Sequence, residues 1–184
     1  MRGAMRGIGA AFLLFTAAAA PVGAQPADSP LACAFAGVAA EQRALAASAA
    51  LQRLTGAPED GEQRGGAALD AILAALPRCG EAGRWNEGQR EMAELYVMTQ
   101  LGREEMLRHY AAQNVDLTFI DAMVAAATPD SPPPFEELAA RVRAQGVTGE
   151  RTDSAEDIAY LYLELMARAE AILVGFPDIA RAPR

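Results

Sequence analysis

The stretch AEDIAYLYLELMARAEAILVGF, Ala155 to Phe176, constrains the fold more than any other part of the chain. At about 100° per residue, Ile158, Leu161, Leu165, Ala169, Ile172 and Phe176 fall on one side, and Tyr162, Met166 and Leu173 widen it. Asp157, Glu164 and Arg168 make the only well-marked polar stripe. A helix with so broad an apolar surface has to be covered over most of its circumference. This segment is therefore expected to be the helix on which the rest of the chain packs. β-branched residues are sparse and no stretch alternates with period two, so the fold class is all-α.

The chain opens MRGAMRGIGAAFLLFTAAAAPVGAQP. Arg2 and Arg6 precede an apolar run from Ile8 to Ala20; Pro21 breaks it, and small residues lead to Gln25. This is the pattern of a secretory signal peptide cleaved after Ala24, with retention as an anchor the alternative. The run is too short to read as a membrane span, so no stable span is expected after cleavage. Lipid attachment at Cys33 is not expected, because Pro30 and the polar segment Gln25 to Ser29 separate it from the apolar run. The domain is then 25–184, long enough for one real core.

Charge narrows the partners. Of the 16 basic and 24 acidic residues, only Arg2 and Arg6 lie in 1–24, so the formal charge moves from −8 to −10 on cleavage. There is no lysine. That balance argues against nucleic acid and against anionic membrane surfaces. It is compatible with a cationic partner, and equally with plain solvation.

Cys33 and Cys79 are the only cysteines. In an exported chain a disulfide is their default state. They lack the spacing of a metal pair or of CxxC, and one histidine does not complete a zinc site.

Ser29 and Pro30 open a first helix, expected to run to Leu54 and end at Thr55-Gly56. The acidic, glycine-rich 56–66 reads as a loop without calcium-loop spacing. Ala67 to Leu76 is a short helix that Pro77 is expected to stop. Asn86 with Gln89 forms a capping box for a long helix ending near Asn114. Asp116 caps the next helix, and 128–134, TPDSPPP, is a stiff spacer. Phe135 to Gln145 follows, stopped by Gly146. Ser154 with Asp157 opens the last helix, which Gly175 and Pro177 are expected to close. The architecture is a single helical bundle of about six helices with one disulfide.

Chemistry-bearing residues are few. His109 is the lone histidine. It has no HxxxH or HExxH, so it reads as a surface or half-buried histidine, with one axial haem ligand opposite Met92, Met98, Met123 or Met166 as the alternative. No CxxCH is present for covalent attachment, and methionines at helical spacing more often fill a core. Arg103 falls in the middle of the long helix's apolar face, with Tyr96 and Tyr110 seven residues to either side. It must snorkel, pair with a carboxylate, or hold a ligand anion between those tyrosines. No GxSxG or phosphate-cradling glycine loop is found, and Glu91, Glu94, Glu104 and Glu105 read as solvated helix faces. Trp85 reads as a staple at the start of the long helix, or as an aromatic anchor for a partner.

An exported, acidic, helical chain with Cys33 and Cys79 as a long-range pair is loosely similar to small periplasmic acid-stress chaperones. It is as loosely similar to periplasmic immunity proteins that block wall-cutting toxins. Neither likeness carries a site residue over, and no family is assigned. The leading expectation is a periplasmic or secreted, non-enzymatic interaction protein without a cofactor, such as an adaptor, chaperone or inhibitor of another envelope or secreted protein. The alternatives are a small-anion or carboxylate binder at Arg103, Tyr96 and Tyr110, and a haem bundle.

Overall fold

A computed structural model describes residues 31–56, 63–126, 134–147 and 154–179. The signal segment, Ser29-Pro30, most of the 56–66 loop, 128–133 of the proline spacer and the 149–153 turn lie outside these residues. A 3-10 turn, Ala32–Phe35, leads into α1 (Ala40–Thr55), α2 (Gln63–Leu73), α3 (Leu76–Gly83) and α4 (Glu87–Ala111). Then come α5 (Thr118–Ala126), α6 (Phe135–Ala144) and α7 (Ala155–Ile179). No strand occurs among the described residues. The chain is the all-α, disulfide-bearing bundle expected.

The local signals explain most boundaries. Asn86 Oδ1 accepts from the Gln89 N–H at 2.9 Å while Gln89 Oε1 accepts from the Asn86 N–H at 3.1 Å, the reciprocal capping box. Ser154 and Asp157 repeat the motif on α7, where the Asp157 N–H donates to Ser154 Oγ at 3.1 Å. Asp116 accepts from both the backbone and the hydroxyl of Thr118, at 2.8 and 2.6 Å. Asn114, at φ 61°, takes the chain out of α4.

Four boundaries differ from the sequence reading. α2 begins at Gln63, inside the segment read as a loop, and ends at Leu73, before Leu76. The first helix does not run unbroken to Leu54. Gly37 sits at φ 76°, a left-handed conformation that glycine adopts without steric cost, and divides the 3-10 turn from α1. Pro77 opens a helix instead of stopping one. It lies in the first turn of α3, where its missing N–H would have had no intrahelical partner. Gly175 and Pro177 do not close α7, which continues to Ile179. A proline so near the end forfeits a single backbone bond, to the Leu173 carbonyl, and packing of Phe176 holds the turn.

Packing also moves the centre of the fold. The two long helices, α4 and α7, run antiparallel, since the start of α4 meets the end of α7 through Gln89 and Phe176. α4 packs on α1, α3 and α7, whereas α7 packs chiefly on α4 and α6. α4, more than the apolar α7, is thus the element the others share. Small side chains make this possible. Ala46, Ala47, Ala49 and Ala50 of α1 are buried, and a Cβ on Gly102 of α4 would sit 3.0 Å from Leu54 Cδ1. On its outer side, α7 leaves Tyr160 62 % and Val174 71 % exposed.

Two apolar clusters result. One gathers the 3-10 turn, α1 to α3, the first half of α4 and the end of α7. The other gathers the second half of α4, α5, α6 and the beginning of α7. The Cys33–Cys79 disulfide, with its Cα atoms 6.0 Å apart, ties the 3-10 turn to α3 at the edge of the first cluster.

Candidate functional site

Arg103 lies where the two clusters meet. Its Nε donates to the Tyr162 hydroxyl at 3.1 Å and its Nη2 to Asp121 Oδ2 at 2.5 Å. Tyr162 in turn donates to Asp121 Oδ1 at 2.8 Å. One residue each from α4, α5 and α7 thus closes a ring of charge-assisted hydrogen bonds. Burial works against the Arg103 charge, but Tyr162 and Asp121 outweigh it and the pKa is raised. Burial is the main cause that raises the Tyr162 hydroxyl above its usual value. The bonds to Tyr162 and Asp121 use two of the five guanidinium N–H groups of Arg103.

The tyrosines expected beside Arg103 are placed apart from each other. Tyr96 is buried in the first cluster and Tyr110 in the second. The sequence missed Asp121 and Tyr162 because they come from two other helices. The signal that could have found Asp121 is its position as the lone acid on the otherwise apolar α5.

A pocket of about 450 Å³ opens further along α4, with α1 and α7 as its walls. Leu51 of α1, Met106 of α4, and Ile158 and Leu161 of α7 supply apolar surface. The polar rim consists of Ser48 and Gln52 from α1, Glu105 and His109 from α4, and Asp157 from α7. A second depression, lined by Glu41, Gly65 and Arg108, shares Ser48, Gln52 and Glu105 with the first, so the two form one groove. Within it, Asp157 is held by Ser154, and Glu105 by Arg108. The side chains of Ser48, Gln52 and Glu41 have no hydrogen-bond or ion-pair partner among the described residues.

His109 is exposed, stands edge-on to Tyr110 at 5.0 Å, and has Gln113 Nε2 at 2.7 Å from its own Nε2. Met92 and Met98 pack against the first cluster and Met123 and Met166 against the second; none of the four lines the pocket that His109 borders. Among the described residues no group of three His, Cys, Asp or Glu is placed to hold a metal ion. Glu104 is not a solvated face: it pairs with Arg43 of α1, whose guanidinium also lies 4.2 Å over the Phe35 ring. Trp85 staples the end of α7, meeting Phe176 edge-on at 5.3 Å. Among the described residues, no helix is long and apolar enough to cross a membrane.

Comparison with family models, with curated proteins and with solved structures found no match for this chain.

Proposed function

We propose that the protein is an exported, non-enzymatic interaction protein that recognises another envelope or secreted protein through the groove between α1 and α7. The observation that carries this reading is the groove's composition. An apolar floor is bordered by the Ser48 hydroxyl and the Gln52 carboxamide, two hydrogen-bonding groups without a partner among the described residues. Concave apolar surface with a few convergent polar groups is the usual character of a recognition site. Export is supported by the basic-then-apolar start of the chain and by the Cys33–Cys79 disulfide, a bond that persists in oxidising compartments.

The carboxylate-binding alternative at Arg103 ranks lower because Asp121 already balances the guanidinium charge and Tyr96 and Tyr110 are buried in different clusters. The haem alternative ranks lower because its four candidate methionines lie away from the His109 pocket.

Site-specific photo-crosslinking in cells tests the reading. A photoreactive residue at Gln52 is expected to capture one defined envelope or secreted protein, while the same residue at the exposed Arg141 of α6 is not. Absence of any adduct from position 52, or equal capture from both positions, would remove the groove as the recognition surface.

A further inference from the structure

Resting on that reading, we infer that the groove receives an amphipathic helix of the partner protein, with its apolar face on the floor and lysine or arginine along its edges. The form of the occupant follows from the walls. α1 and α7 both pack on α4. Between them, over Met106 and Tyr110 of α4, lies a channel lined by three helices. A helix laid in that channel completes a four-helix arrangement, and apolar grooves between helices take amphipathic helices in this way.

The charge of the occupant follows from the rim. Glu41 stands unpaired among the described residues at one end, in the first turn of α1. Glu105 lies in the middle and Asp157 at the other end. The basic groups that border the groove are Arg108 and His109. Arg108 is engaged by Glu105 and donates to the Ala44 carbonyl at 3.3 Å, so it is held against the wall. Three carboxylates against one guanidinium leave an excess of negative charge. The whole chain, at −8 with no lysine, adds a field of the same sign. Opposite charge steers encounter and rejects partners of like charge, so a basic edge on the incoming helix gains twice. Ser48 and Gln52, one helical turn apart on α1, then meet polar groups along that edge.

The test uses the mature, disulfide-bonded protein and three synthetic helix-forming peptides of about 20 residues, long enough to be helical in isolation. The first carries a leucine stripe flanked by lysines. The second replaces the lysines with glutamates. The third keeps the lysines but scrambles the stripe. Fluorescence anisotropy should show the first binding at least about tenfold tighter than either of the others. Glu41→Lys, at an exposed residue without a partner among the described residues, should narrow the gap between the first two several-fold. Equal affinity for the lysine and glutamate peptides overturns the charge assignment, and equal affinity for the scrambled peptide overturns the helix. If no peptide binds while position 52 still captures a partner, this inference falls and the groove reading stands. If position 52 also captures nothing, both fall.

Discussion

The carboxamide of Gln89 joins the first turn of α4 to the last turns of α7, donating to the Phe176 carbonyl oxygen at 3.1 Å while accepting from the Asn86 N–H. Gln89 is one of two buried polar side chains among the described residues, and this bridge explains its burial. Gln89→Leu removes both of these bonds, and the one to Phe176 is buried. A loss of about 1–3 kcal/mol is expected, read from the urea midpoint at unchanged slope. Asn86→Ala removes the side-chain cap and should cost about 1 kcal/mol. A Gln89→Leu variant as stable as the parent would show that the bridge contributes nothing.

Arg103, Asp121 and Tyr162 give a pH signature. The Tyr162 hydroxyl titrates above its unfolded value, chiefly because it is buried. A group whose folded pKa is raised keeps its proton in the native state after the unfolded chain has lost it. Its contribution is therefore complete below about pH 10 and is lost progressively above it. Tyr162→Phe should lose about 1 kcal/mol at neutral pH, from the hydrogen bond to Asp121, yet show a flatter decline above pH 10. Chemical denaturation of parent and variant across pH 7 to 11 separates the two effects, and parallel curves would contradict the account.

The disulfide closes a loop between residues separated by 46 positions. Constraint of the unfolded chain by such a loop corresponds to about 4 kcal/mol. Cys33→Ser with Cys79→Ser, or reductant, is expected to lower the melting temperature by many degrees. A thiol assay on protein recovered from the exporting cell should find none free, and two free thiols would contradict the assigned pair.

Two glycines should respond oppositely to alanine. A Cβ on Gly83 would lie 2.4 Å from Trp85 Nε1, so Gly83→Ala must push the indole away from Phe176. A cost of about 1–3 kcal/mol and a red-shifted tryptophan emission are expected. Gly175 has nothing within 4 Å of the added Cβ, and there alanine should stabilise α7 by about 0.5–1 kcal/mol. Gly83→Ala with unchanged emission would refute the close contact.

How much of this is legible in the sequence depends on the range of the interaction. Asn86 with Gln89, and Ser154 with Asp157, signal across three residues, and both caps stand where the pattern puts them. Gly37 and Pro77 escape a local reading because each residue type has two uses. A glycine or proline marks a break or tolerates an adjacent start, and tertiary packing decides which. Arg103 stands out as a charge on an apolar face, but its partners cannot be read. Asp121 and Tyr162 lie 18 and 59 residues away on other helices, and no local period connects them. The groove is invisible for the same reason, since α1, α4 and α7 contribute to it from far-separated segments.

Hydrogen–deuterium exchange on the complex with the partner captured from position 52 tests the central claim most directly. Binding should slow exchange in residues 48–55, 105–110 and 157–161, the three walls of the groove. Protection confined to α6, or to the outer side of α7 around Tyr160 and Val174, would contradict the assignment of the groove as the surface through which this protein acts.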